Sequence, residues 1–192
     1  MIKSSGQISL KRKKRFIVMD KVRSLDLLRE APKAIRLLDQ YLETVNREDI
    51  DVLRLKGNVL DIQLKFENSR QIYKHILRHC PDNTLALIDM GDAWARSDEY
   101  ARAIPYYNRA LRLINNGHYT SGMYVYPFKE DEFIEASKGK AEALLELKRP
   151  LAALRCLVNA LQKYPADISL GSSLCRTQEA YAKWRRKGKA RK

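Results

Sequence analysis

The sequence has few of the residues that build disulfide scaffolds or many-stranded sheets. Its 192 residues include three cysteines, Cys80, Cys156 and Cys175, with no CxxC pair. An odd number without such pairing argues against a disulfide framework and is typical of small buried thiols. Eight glycines and six prolines are few for this length, so long helices are easier to build than many short strands.

The sequence also lacks membrane, secretion and catalytic signals. No run of about 18 apolar residues occurs, and residues 1–20 contain no apolar stretch of signal-peptide length. We therefore expect a cytoplasmic protein, or a nuclear one in a eukaryotic cell, without a membrane partner. A Gly-rich phosphate loop, a nucleophile elbow and an HExxH motif are all missing, so we predict neither an enzyme nor a cofactor.

A histidine pair is the nearest approach to a metal site. His75 and His79 stand at i and i+4, with Cys80 adjacent, and this spacing could place two ligands on one face of a helix. A third ligand is not evident from the spacing. Two surface histidines near a helix end are favoured by the helix dipole, so we predict no metal site.

Most of the net charge of +14 belongs to the two ends of the chain. Thirteen of the 37 basic residues lie in 1–15 and 183–192, which contain no acid, and the remainder has 24 basic against 23 acidic residues. We therefore predict a nearly neutral body with basic tails at 1–14 and 187–192. The basic residues singled out at these ends are Lys11, Arg12, Lys13, Lys14, Arg15, Arg185, Arg186 and Lys187.

One residue pattern recurs along the body of the chain. Three copies begin at Gly57, Gly91 and Ala141, and a weaker copy begins at Val22. The shared offsets carry large residues at +3, small ones at +12 and large ones at +16: Leu60, Trp94 and Leu144; Ser69, Ala103 and Ala153; Tyr73, Tyr107 and Leu157. The copies are spaced by 35, 34 and 50 residues, the last being one period of 34 plus 16 inserted residues.

This pattern resembles the tetratricopeptide repeat family over roughly residues 15–167. The resemblance implies an all-α, right-handed solenoid of about four helix pairs. We assign the repeats to about 15–48, 50–83, 84–117 and 134–167, with an insertion at 118–133. First helices are expected near 16–29, 49–62, 84–96 and 131–147, and second helices near 32–45, 68–79, 100–113 and 150–163. Leu170, Leu174, Tyr181 and Trp184 lie at helical spacing, which predicts a capping helix over 168–186.

The resemblance also implies where a partner binds, because first helices line the concave groove in this family. Carried over residue by residue, the candidate groove residues are Met19, Arg23, Arg54, Asn58, Asp61, Leu85, Ile88, Asp92, Lys138 and Glu142. We expect a mildly acidic groove with an apolar floor at Leu85 and Ile88, binding a protein or peptide. The alternative is that these residues form ordinary solvated faces.

The insertion is rich in aromatic residues, and the candidates for partner contact are Tyr119, Tyr124, Tyr126 and Phe128. They could present anchors to a partner, or they could fill the gap between two repeats separated by the insertion, since an exposed aromatic loop favours aggregation.

The basic ends leave a second functional class open. They could contact the phosphates of a nucleic acid while the solenoid docks a protein, and KRKKR at 11–15 could act as a nuclear import signal. They could instead be solubilising ends. A third hypothesis places residues 183–192 in the acidic groove. The leading prediction is a protein-interaction module, and the sequence does not determine its oligomeric state.

Overall fold

The computed structural model describes residues 2–118, 120 and 129–189, and the side chains of 9–118, 120 and 130–186. All regular structure in these residues is α-helical. The helices are α1 (Ile2–Arg23), α2 (Ala31–Thr44), α3 (Ile50–Ile62), α4 (Phe66–His79), α5 (Thr84–Arg96), α6 (Tyr100–Asn115), α7 (Lys129–Glu146), α8 (Pro150–Lys163) and α9 (Ile168–Lys189). Within the described part of the chain, no helix is both long and apolar enough to cross a membrane.

The helices form two compact units, residues 1–81 and 82–192. In the N-terminal unit, α2 packs on α1 and α3, and α3 packs on α4. In the C-terminal unit, each helix from α5 to α9 packs on the next, and α7 also contacts both α5 and α9. Antiparallel pairing of successive helices therefore places α5, α7 and α9 side by side on one face of the C-terminal unit.

The first helix differs from its prediction. Instead of a basic tail at 1–14 and a helix over 16–29, α1 runs from Ile2 to Arg23 and residues 24–30 form a turn. No proline interrupts residues 2–23, and lysine and arginine are good helix formers. The Arg15 side chain is 20% exposed, and its Nη1 lies 3.0 Å from Asp51 Oδ2 and 3.7 Å from Asp49 Oδ1. Arg15 therefore holds α1 against the start of α3 and does not belong to a tail.

The turn that joins the two helices of a pair has the same conformation in three successive repeats. Leu64, Asp98 and Lys148 adopt left-handed φ angles of 58°, 62° and 58°, at spacings of 34 and 50 residues. In each turn the next N–H donates to a carbonyl five residues earlier, at 2.9 to 3.0 Å, which is the bonding pattern of a Schellman helix end. The same turn thus closes all three of these helix pairs without a glycine.

Two tyrosines fill the space inside the helix pairs. A Cβ atom on Gly57 would lie 2.5 Å from Tyr73 Cε1, and one on Gly91 would lie 2.7 Å from Tyr107 Cε1. Both rings are almost fully buried, so they cannot move aside. Glycine is therefore required at these two positions by close approach.

Candidate functional site

The C-terminal unit contains an open cleft of about 550 Å³ between α5, α7 and α9. We call it the α5–α7–α9 cleft. Tyr107 of α6 reaches its base and is buried, while Ala95 and Leu145 supply apolar wall. The cleft is lined by Asp92, Ala95, Arg96, Tyr100, Tyr107, Glu135, Lys138, Gly139, Glu142, Ala143, Leu145, Glu146 and Arg176.

Charges of both signs line this cleft. Four carboxyl groups face three cations, and two of the cations are paired. Lys138 Nζ lies 2.9 Å from Glu135 Oε1 on the same helix, and Arg176 Nη2 of α9 lies 3.5 Å from Glu142 Oε1 of α7. These pairs leave both hydrogen-bond donors and acceptors along the cleft, so it is polar and has only a slight acidic excess.

The charge of Asp92 in this cleft depends on pH near neutrality. Burial raises its pKa to about 7, the nearby carboxylate of Asp89 adds to the rise, and the hydrogen bond from Tyr107 opposes it. The Tyr107 hydroxyl donates to Asp92 Oδ1 at 2.7 Å. Burial, together with the Asp92 carboxylate, raises the pKa of Tyr107, so Tyr107 remains a donor. The cleft therefore gains about one negative charge as the pH rises through neutrality.

Three of the residues predicted from the repeat pattern meet in this cleft: Asp92, Lys138 and Glu142. Leu85 and Ile88 do not form its floor, because they are only 1% and 3% exposed. Their helix, α5, has nine of its thirteen residues buried, so its apolar surface extends around most of the helix. The prediction of an apolar floor is therefore wrong, and the side chains of Leu85 and Ile88 belong to the core.

Most of the predicted groove residues of the N-terminal unit are also buried. Met19, Arg54 and Asp61 are 3%, 5% and 3% exposed, whereas Arg23 at the end of α1 is exposed and Asn58 is half-buried. The Tyr73 hydroxyl lies 2.6 Å from Asn58 Oδ1 and 2.9 Å from Asp61 Oδ2. In this unit, therefore, the predicted positions mainly hold the helix pair together.

A buried polar cluster attaches the start of the insertion to the core. The Thr120 N–H donates to Thr84 Oγ1 at 2.9 Å, and the Thr84 N–H donates to Thr120 Oγ1 at 3.1 Å. The Thr84 hydroxyl also donates to the fully buried Glu132 carboxylate of α7. Sequence analysis missed this cluster because its members are 36 and 12 residues apart. The predicted insertion contacts Tyr119, Tyr124, Tyr126 and Phe128 lie outside the described residues.

The basic residues at the ends lie on helices. Exposed cations are found on α1 at Lys11, Arg12, Lys13 and Lys14, and on α9 at Arg185 and Arg186. Lys187 is also within α9, although its side chain lies outside the described residues, so at least residues 187–189 of the predicted C-terminal tail are helical.

The capping helix is confirmed as a helix, but not all of its predicted apolar face is covered. Leu170 is fully buried and belongs to the core formed with α7 and α8. Trp184 is 51% exposed and stacks on Tyr181, with ring centroids 5.8 Å apart. The buried part of this apolar face therefore lies toward the start of α9, and the half-exposed Trp184 lies near its end.

Comparison with known proteins gives matches only among solved structures, since no family model and no curated protein matches the chain. The first TPR domain of the human RPAP3 protein is 20% identical and matches 70% of this chain and 94% of its own, with a TM-score of 0.57. A MamA crystal structure is 16% identical over 88% of this chain and 84% of its own, with a TM-score of 0.60. MamA from Desulfovibrio magneticus RS-1, from residue 41 to its end, is 13% identical. The match covers 94% of this chain and 96% of the MamA chain, with a TM-score of 0.62.

This chain has the tetratricopeptide-repeat fold. The resemblance inferred from the sequence and the all-α solenoid class are thereby confirmed. In terms of this fold, α5 and α7 are the first helices of two successive repeats, and α9 follows as the terminal helix. The α5–α7–α9 cleft therefore lies on the first-helix side of the C-terminal unit.

Proposed function

We propose that this chain is a protein-interaction module that holds an extended segment of a partner in the α5–α7–α9 cleft. The observation that carries the proposal is the convergence of Asp92, Lys138 and Glu142 in one cleft, although they come from two repeats and were selected through the resemblance to the repeat family. Repeat solenoids commonly bind partners along the surface formed by equivalent helices.

The chemistry of the cleft suits a polypeptide backbone. Lys138 and Arg176 offer N–H donors, Glu142 and Glu146 offer acceptors, and an extended peptide presents N–H and C=O groups in alternation. Leu145 adds apolar surface for a side chain of the partner. A segment with charges of both signs therefore fits this cleft better than one with a single strong charge. The cytoplasmic location and the phosphate-contacting role of the basic ends stay predictions.

The test is affinity capture from native lysate with a charge reversal inside the cleft and a matched one outside it. Glu142→Lys replaces an exposed lining carboxylate, and Glu43→Lys replaces an exposed carboxylate on α2 of the N-terminal unit. We expect a protein that is recovered with the wild type and with Glu43→Lys to be lost with Glu142→Lys, at unchanged helicity by circular dichroism. Equal recovery by all three proteins would contradict the proposed cleft.

A further inference from the structure

The N-terminal unit brings a carboxylate to the histidine pair that the sequence singled out. Glu48 lies in the turn between α2 and α3, and His75 and His79 lie one turn apart near the end of α4. One potential ligand atom from each of the three residues lies within 4.8 Å of the other two. The third ligand that spacing did not reveal is therefore supplied by a residue 27 positions before His75.

The hydrogen bond of His79 fixes which of its ring nitrogens carries the proton. Its Nδ1 lies 3.0 Å from the His75 carbonyl oxygen, and a carbonyl can only accept, so Nδ1 carries the proton. In the neutral ring the Nε2 atom then keeps its lone pair for a ligand. Donation of the other ring N–H to a backbone carbonyl is the arrangement that fixes the tautomer of metal-binding histidines.

His75 and Glu48 are already in contact. His75 Nε2 lies 2.8 Å from Glu48 Oε2, and both side chains are open to solvent, at 38% and 59% exposed. An ion entering between these atoms replaces the proton on His75 Nε2, which leaves to water while Nδ1 carries the remaining ring proton, so that the ring binds as a neutral imidazole. The two imidazole rings are 4.6 Å apart between centroids and tilted by 52°, so they do not stack face to face and can be directed at one ion.

We propose that Glu48, His75 and His79 form a site for a divalent transition-metal ion. Two imidazole nitrogens and one carboxylate oxygen are ligands that Zn²⁺ accepts, with water in the fourth position, and imidazole suits the neighbouring metals of the series as well. The thiol of Cys80, although next in sequence to His79, is not among the ligand atoms that come together here.

A bound ion would connect the α2–α3 turn to the last turns of α4. The consequence is a stability of the N-terminal unit that depends on metal, because an ion that binds only the folded chain favours folding. This site is separate from the α5–α7–α9 cleft, so its failure would leave the proposed peptide binding untouched.

The test uses Zn²⁺ alone with the full chain after chelator treatment, followed by isothermal titration calorimetry. We expect one Zn²⁺ per chain, with affinity weakened about tenfold or more in Glu48→Gln and further in His79→Ala. His118→Ala is the matched control, since this exposed histidine lies in the other unit, and it should bind like the wild type. Zn²⁺ should also raise the midpoint temperature of thermal unfolding, and at the same Zn²⁺ concentration the rise should be smaller in Glu48→Gln than in the wild type.

Co²⁺ distinguishes this site from one built on cysteine. Binding through nitrogen and oxygen should give a Co²⁺ spectrum without the charge-transfer band of a thiolate ligand. The proposal is overturned if the wild type does not bind Zn²⁺, if Glu48→Gln and His79→Ala bind as tightly as the wild type, or if only Cys80→Ser loses binding.

Discussion

The two units use the same glycine–tyrosine contact but give the tyrosine different polar partners. In the N-terminal unit, Tyr73 packs on Gly57 and its hydroxyl donates to Asn58, within a network that includes Asp61. In the C-terminal unit, Tyr107 packs on two glycines and donates to Asp92. Asn58 and Asp92 stand one period of 34 residues apart, so one repeat position holds an amide in the N-terminal unit and a carboxyl group in the C-terminal unit. The N-terminal unit also has the Asp61 carboxylate beside the hydroxyl, where the equivalent position of the C-terminal unit is Ala95.

The difference shows that the glycine–tyrosine packing is shared by both units, whereas the polar residue next to the glycine varies between them. These two repeats need the glycine and the large ring together, because changing either one alone leaves a clash or a void, whereas the copy that begins at Ala141 has Leu157 in place of the ring. The residue one position after the glycine can be neutral, as Asn58 is, or ionisable, as Asp92 is. In the C-terminal unit the ionisable choice lies in the cleft and has its pKa raised to about 7, which makes the charge of that surface depend on pH.

The largest expected effect comes from removing the tyrosine ring. Tyr107→Ala should lower the free energy of unfolding by about 3–5 kcal/mol, because a buried ring is replaced by a cavity between α5, α6 and α7. Tyr106→Ala is the neighbouring control and should cost less than about 1.5 kcal/mol, since Tyr106 is half-buried. Urea denaturation measures both. Similar losses for the two variants would show that Tyr107 has no special packing role.

Exchanging the amide and the carboxyl group sharpens the comparison directly. The pKa of Asp92 is raised above its ordinary value, so the folded chain binds this proton more tightly than the unfolded chain and loses stability as the pH rises from about 4 to 7. Asp92→Asn should remove that loss, so its stability relative to the wild type should increase by about 3–4 kcal/mol between pH 4 and pH 8.

The reciprocal variant Asn58→Asp should introduce the same pH dependence into the N-terminal unit. Unfolding by urea at a series of pH values measures both variants against the wild type. A constant difference between Asp92→Asn and the wild type over this range would show that Asp92 has an ordinary pKa.

The smallest expected effect comes from removing the hydroxyl groups alone. Tyr73→Phe should cost about 1 kcal/mol, because it removes the single hydroxyl proton that Asn58 and the buried Asp61 share. Tyr107→Phe should instead move the pH transition of Asp92 upward, because the lost hydrogen bond held that pKa down. Nuclear magnetic resonance titration of the Asp92 carboxyl carbon measures this shift, and a downward shift would contradict the account.

Much of the fold follows from the sequence because each repeat contains residues that mark where its helices begin and end. Helices α2 to α8 begin and end within two residues of their predicted bounds, since small residues, caps and prolines recur with one period. The first helix was mispredicted because a run of basic residues was interpreted as a solvated tail. What makes Arg15 structural is its contact with Asp49 and Asp51, which lie 34 and 36 positions later in the chain, and a run of basic residues gives no sign of that contact.

The candidate sites were less predictable, for the same physical reason. The repeat pattern selects helix faces, so it found Asp92, Lys138 and Glu142, but it does not show how far a neighbouring helix covers a face. Leu85 and Ile88 were therefore assigned to a surface although they are buried. Contacts between a turn and a helix, such as Glu48 with His75, depend on packing alone and leave no signal in sequence spacing.

The central claim, that a partner lies in the α5–α7–α9 cleft, is tested most directly by site-specific photocrosslinking. A photoreactive phenylalanine derivative is placed at position 145, in the cleft wall, or at position 158, where Val158 is exposed on α8 and outside the cleft. The captured partner should form an adduct from position 145 and not from position 158. An adduct from position 158 alone, or equal adducts from both, would contradict the account.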